Sequence, residues 1–312
     1  PGRPDLDRQA RERAVLPLDG PRLVVVLGCT VGAGQTMTTF ILAELLAELR
    51  GEPVAALDLN PGPASLATLA TQPATTVSAL LANRNPAGRP AHAAAPAPRS
   101  TAHRGSAWRG SPRVKSQLDV ISEDPTAPGL AAPGRAVTGG AIGPEPASAN
   151  LRYDRLFSVL ASRYTVSVAD PGASAVSRVL PAADQLVLVV PASPDAAQAV
   201  GMTCEWLEAH GHGALSASSI AVVNGVSQRS MPHAEQAELA VRGRCRAIVR
   251  VPWDDHLAQP QAERGIRASR EASVSPERFA QLRPAVLQAH TALAGVLVAT
   301  MSMSRPRTRS AQ

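Results

Sequence analysis

One stretch decides what this chain can fold into. Leu23-Val24-Val25-Val26-Leu27 is followed by Gly28-Cys29-Thr30-Val31-Gly32-Ala33-Gly34-Gln35-Thr36, and then by an apolar periodic segment from Phe40 to Leu49. An unbroken apolar run rich in valine is the pattern of a strand buried on both faces, as in a parallel sheet. The glycines then lead directly into a helix. Strand, glycine loop and helix in that order make an anion site. The glycines let backbone N–H groups turn inward around phosphate oxygens, and the helix N-terminus adds its partial positive charge. Gly34-Gln35-Thr36 closes the loop as the Gly-Lys-[Ser/Thr] of a P-loop does, but with glutamine in place of the lysine. A glutamine donates hydrogen bonds to a phosphate without bringing a charge to offset it.

No lysine in a folded segment can substitute, because Lys115 is the only lysine in the chain. An arginine could, with Arg22, Arg178 and Arg229 as the candidates. The 312 residues, 45% of them hydrophobic and 3% aromatic, suffice for one large α/β domain with appendages. The net charge of +6 is unevenly placed. Seven basic residues and no acidic ones lie between Arg84 and Lys115, and Arg305, Arg307 and Arg309 follow near the end. Setting these aside leaves the remainder at −4, so the basic character resides outside the domain body. Three widely separated cysteines, Cys29, Cys204 and Cys245, have no metal-type spacing and suit a reduced, cytoplasmic interior. Cys29 sits where loop N–H dipoles could lower its pKa, although a plain small loop residue is the better reading. No signal-peptide core is evident, and the apolar run from Ala292 to Met303 is too short to span a bilayer.

In chain order, residues 1–20 read as a flexible leader and 21–258 as the main domain. That domain is interrupted by a flexible basic insertion at 84–117 and a flexible loop at 123–148. Residues 259–275 read as a linker, 276–300 as a C-terminal helix in which Pro284 marks a start or a kink, and 301–312 as a basic tail. Further strands are expected at 54–58, 118–121, 165–169, 185–190, 219–223 and 247–251. Short helices are expected at 64–71 and 76–83, and a longer one at 194–210. Tyr153, Leu156, Phe157 and Leu160 fall at i, i+3, i+4 and i+7, one apolar helix face. Alternating strands and helices predict a mostly parallel sheet with helices on both faces. Asp58, Asp170, Asn224 and Pro252 each follow a strand, so all should gather on the edge that carries the glycine loop.

With these motifs in place, the sequence resembles the MinD/ParA family of P-loop ATPases, whose deviant loop reads K-G-G-x-G-K-[ST]. Thr30-Val31-Gly32-Ala33-Gly34-Gln35-Thr36 occupies that frame. Asp58-Leu59-Asn60-Pro61 is similar to the family's D-x-D-P, and Asp170-Pro171-Gly172-Ala173 to its switch. Asn224 and Val251-Pro252-Trp253-Asp254 match the adenine-contacting segments. The wording of the second half is similar to actinobacterial MinD-like proteins, some of which accompany type VII secretion systems.

The resemblance implies a three-layer P-loop NTPase-like α/β fold that takes ATP and Mg²⁺. Gly28, Gly32, Ala33, Gly34, Gln35, Thr36 and Met37 would form the cradle and Asn224 and Pro252 the base site. Trp253 stands ready to stack on a base or to fill a core gap. Thr36, Asp58 and Asp170 would lie on the metal side. It also implies a cytoplasmic homodimer, peripheral at the membrane, that recruits or positions a protein partner of a membrane-associated machine for secretion, septation or partition. Three departures fall on the catalytic apparatus. The family's signature lysine is Thr30, its phosphate lysine is Gln35, and its hydrolytic aspartate is Asn60. Phosphoryl transfer depends on positioned positive charge and an oriented nucleophile, so weak or absent hydrolysis is expected. An active ATPase and a nucleotide-free interaction module are the competing readings. The segment 84–115 is expected to contact acidic membrane or DNA weakly and without sequence preference.

Overall fold

A computed structural model describes residues 3–60, 62, 65–70, 73–82, 118–124, 147–258 and 282–304. The expectations for 83–117, 125–146, 259–281 and 305–312 lie outside the described residues. Eight strands form one sheet: β1 (Arg22–Gly28), β2 (Val54–Leu59), β3 (Thr75–Thr76), β4 (Leu118–Ser122), β5 (Val166–Pro171), β6 (Gln185–Pro191), β7 (Ile220–Val226) and β8 (Ala247–Pro252). Their order is β3-β4-β2-β5-β1-β6-β7-β8, and every neighbouring pair is parallel. The helices are α1 (Arg3–Ala14), α2 (Gln35–Arg50), α3 (Val77–Ala82), α4 (Ala147–Arg163), α5 (Val176–Val179), α6 (Ala196–Ala209), α7 (Gly213–Ala217), α8 (Met231–Val241), α9 (Asp255–Ala258) and α10 (Pro284–Ser302).

Alternation along β1 splits the core into two faces. Val24 and Val26 pack with Phe40, Leu42 and Leu46 of α2 and with Leu293, Leu297 and Met301 of α10. Leu23 and Val25 pack on the opposite side with Tyr153, Leu156, Phe157 and Leu160 of α4, the face predicted from spacing. Farther along, Val190, Ala221 and Val223 meet α6 and α8 through Val200, Cys204, Ala234 and Ala237. The three layers and the parallel sheet are as expected.

The two ends of the described chain differ from expectation. Residues 3–14 form a helix, not a flexible leader. Its sequence is highly polar, so it is tertiary packing that holds it in place. Ala10 and Ala14 are buried, and α1 crosses α10 so closely that a Cβ on Gly295 would lie 2.5 Å from the Ala10 carbonyl oxygen. Arg50 fixes the exit of α1 by donating to the carbonyls of Ala14 at 3.0 Å and Leu16 at 2.9 Å. At the other end, Pro284 opens α10, as suits a residue without a backbone donor. Leu297, Val298 and Met301, which precede the basic tail, are fully buried against the sheet. The helix is long and apolar enough to cross a bilayer, with mean hydropathy 1.4, yet it serves here as a core helix.

Candidate functional site

All the parallel strands end on one edge, and the predicted residues meet there. Asp58 and Asp170 are register partners on β2 and β5. Gly28 lies beside Val189 of β6, and Asn224 lies beside Pro191. The glycine loop rises from the end of β1. Gly32 and Gly34 adopt left-handed conformations, with φ of 78° and 95°, and Val31 at the apex is fully exposed. With four residues between the two P-loop glycines, the first glycine position lies five before Gly34 and is held by Cys29 rather than Gly28. Gly34 is the N-cap of α2. It offers no side-chain cap, and the first turn holds no acidic residue, so no side chain of its own neutralises the positive end of the helix.

Gln35 does not point toward a ligand. Its Oε1 accepts the Gly28 N–H at 2.7 Å, and its Nε2 donates to Asp170 Oδ1 at 2.5 Å and to the Pro171 carbonyl at 2.9 Å. Asn224 pins the loop from the other side, donating from Nδ2 to the Ala33 carbonyl at 2.8 Å. A Cβ on Gly34 would stand 2.2 Å from that nitrogen, so the close approach requires glycine. Asn224, expected at the base site, thus spends its side-chain nitrogen on the loop backbone.

Asp170 is fully buried. Burial pushes its pKa up to about 6; the Thr36 and Gln35 side chains pull it back, and the neighbouring Asp58 charge adds to the rise. Its Oδ2 makes no hydrogen bond of good geometry. A buried carboxylate oxygen without a well-aligned donor, beside a threonine hydroxyl, fits a divalent cation carried in with a phosphate. Asp58 is placed differently. Its carboxylate accepts the backbone N–H of Ala67 at 2.8 Å and of Asn60 at 3.3 Å, bracing the 3₁₀ turn at Leu66–Thr68. Burial raises its pKa as well, against those hydrogen bonds. Asn60 is exposed and packs on the next turn, where a Cβ on Gly172 would come within 2.9 Å of its Oδ1.

Pro252 ends β8. The Trp253 ring that follows lies against Gly225, and its Nε1 donates to Asp255 at 2.9 Å. It is 46% exposed, so it neither fills the core nor stands free. The Cys29 thiol is the reverse of activated: burial pushes its pKa up to about 11. The three arginine candidates also have other places. Arg22 lies at the opposite end of β1, the Arg178 guanidinium sits 5.6 Å above the Tyr153 ring, and Arg229 is exposed in the turn before α8.

Sequence reasoning missed one cluster on this edge. Arg152 bridges Glu123 at 2.6 Å and Asp124 at 2.5 Å, Tyr153 donates to Glu123 at 3.2 Å, and the Glu123 N–H donates to the Asp58 carbonyl at 2.9 Å. The available signal was the acidic pair directly after the strand at 118–121, opposite a basic residue on the adjoining helix.

No protein-family model matches the sequence, and no curated protein does either. Solved structures do match. A ParA family ATPase from Chlorobium tepidum TLS is 14% identical over 88% of this chain and 99% of its own, with a TM-score of 0.53. A chain of the MinC:MinD cell division protein complex of Aquifex aeolicus is 16% identical over 88% of this chain and 95% of its own, with a TM-score of 0.54. The ATP complex of Cyanothece McdA is 17% identical over 89% and 96%, with a TM-score of 0.51. Likeness at such low identity bears on architecture alone, and the architecture of this chain is that of the ParA/MinD P-loop ATPases.

Proposed function

We propose that this chain is a MinD/ParA-type nucleotide-binding protein that acts as a dimerising switch or scaffold, recruiting or positioning a partner protein, with hydrolysis weak or absent. One observation carries the reading: a glycine loop on an uncapped helix N-terminus whose would-be cation is a neutral glutamine tied to Asp170. The loop N–H groups, with Thr36 and Met37 in the first turn, would receive the phosphates. Thr36 and Asp170 would hold Mg²⁺, whose chemistry is to neutralise phosphate charge. Asn60 cannot take a proton from water, and Thr30 is too short to reach a facing subunit. The neighbours support the wider reading, since one is a MinC:MinD complex and another a complex with ATP. Attachment to secretion, septation or partition machinery at the membrane, the type VII branch included, belongs to the same proposal.

Calorimetric titration with Mg²⁺ and ATP tests binding, and phosphate release tests turnover. Saturable binding with negligible release is the expected result. Release at the rate of an active ATPase, abolished by Thr36→Ala, would favour the enzyme; absence of binding would favour the nucleotide-free module.

A further inference from the structure

The Gln35 side chain uses all its donors inside the protein. A primary amide has two protons, and those of Nε2 go to Asp170 Oδ1 at 2.5 Å and to the Pro171 carbonyl at 2.9 Å. Its oxygen meanwhile takes the Gly28 N–H. These partners end two adjacent strands, β1 and β5, so the side chain lies across the floor of the loop. In a P-loop the residue at this position reaches the β- and γ-phosphates, while the backbone N–H groups cradle the α- and β-phosphates. The backbone half of that division is intact here, with two left-handed glycines and an uncapped α2. The side-chain half is closed. A separate observation still points to a ligand, namely Asp170 Oδ2, fully buried and without a hydrogen bond of good geometry.

We propose, building on the nucleotide-binding reading above, that Gln35 sets which nucleotide the site accepts: a nucleoside diphosphate held by the loop N–H groups, with the terminal-phosphate end of the cradle closed by the glutamine brace. A third phosphate brings further negative charge toward Asp58 and Asp170 and meets an amide where a cation is needed. To grasp it, Gln35 has to release Asp170 and Pro171, and it offers only neutral hydrogen bonds in return. Charge-assisted bonds are about twice as strong as neutral ones, so the triphosphate gains least from this site.

The test is calorimetry on the full chain with Mg²⁺-ADP and Mg²⁺-ATP, for wild type, Gln35→Lys and Gln35→Ala. Amide exchange at Gly28 is followed in the ligand-free proteins. Wild type is expected to bind ADP at least as tightly as ATP. Gln35→Lys should tighten ATP by about tenfold or more and ADP by less than about threefold. Gln35→Ala should speed exchange at Gly28, whose acceptor it removes. Wild type binding ATP about tenfold more tightly than ADP overturns the proposal, as does unchanged exchange at Gly28. If wild type binds both nucleotides but prefers ATP, the diphosphate assignment falls and the nucleotide-binding reading stands. If wild type binds neither, both fall.

Discussion

The two ends of β1 are held in opposite ways. At its start, Arg22 is 1% exposed and gives its guanidinium to the Met301 carbonyl at 2.9 Å and the Ser304 carbonyl at 2.5 Å, at the negative end of α10. Arg50 does the same for α1 and pairs with Glu52 at 2.9 Å. At its finish, where phosphate chemistry asks for a cation, two neutral amides, those of Gln35 and Asn224, hold the loop. Buried cations therefore secure the start of the strand, and neutral amides secure the loop at its finish. The difference teaches that the two can be separated by mutation: damage at one end should unfold the chain, and damage at the other should retune it.

The largest effect is expected at the start of the strand. Arg22→Ala leaves the Ser304 carbonyl without its guanidinium donor, takes one of several donors from the Met301 carbonyl and opens a cavity, and should cost about 3 kcal/mol in urea unfolding. Nucleotide affinity of the protein that remains folded should stay within about threefold of wild type. A small loss of stability would break the contrast. Gly34→Ala comes next, because it forces a Cβ into a φ of 95° and against Asn224. A cost of about 2 kcal/mol is expected. In a double-mutant cycle, Asn224→Ala should return only the part due to the clash, because the backbone strain remains.

Titration sharpens the same comparison. The Asp170 carboxyl, raised to about 6, binds a proton more readily in the folded chain than in the unfolded one. Its contribution to stability therefore falls as pH rises from about 4 to 6, and Asp170→Asn should stabilise the protein by about 1–2 kcal/mol at pH 7. His290, buried in α10 with Nδ1 bonded to the Val286 carbonyl at 2.9 Å, runs the other way. Burial lowers its pKa to about 4, so the unfolded chain protonates first and stability is lost as pH falls from 6.5 toward 4. Unfolding free energies measured from pH 4 to 7.5, for wild type and Asp170→Asn, check both signs. The smallest effect on the fold should come from deleting 84–115, within about 0.5 kcal/mol. The same deletion should abolish any salt-sensitive sedimentation with anionic liposomes or DNA. Binding that survives it, or that is absent from the full chain at low salt, reduces the segment to a linker.

The strands were legible because each buried one is a run of apolar residues bounded by Gly, Pro, Asn or Asp, and Val24–Val26 or Leu186–Val190 permit little else. The edge was legible for the same reason, since parallel pairing sends Asp58, Asp170, Asn224 and Pro252 to one side. Helix α1 was not, because Ala10 and Ala14 are too small to announce a buried face and their partner, Gly295, lies far along the chain. Side-chain aim was not legible either. The sequence places Gln35 at a phosphate position and Asp58 at a metal position. Which hydrogen bonds each makes depends on Gly28, Pro171 and Ala67, groups that only the folded backbone brings within reach.

The contact between Ala10 and Gly295 also bears on how the chain is made. Helix α1 leaves the ribosome well before its seat, a helix nearly three hundred residues downstream. Until that segment is synthesised, the layer formed by Val24, Val26, Val187 and Val222 lacks the cover that α10 provides. Vectorial synthesis thus yields a nascent form with one sticky face, a target for holding chaperones. Closure of this domain is timed by its last described helix.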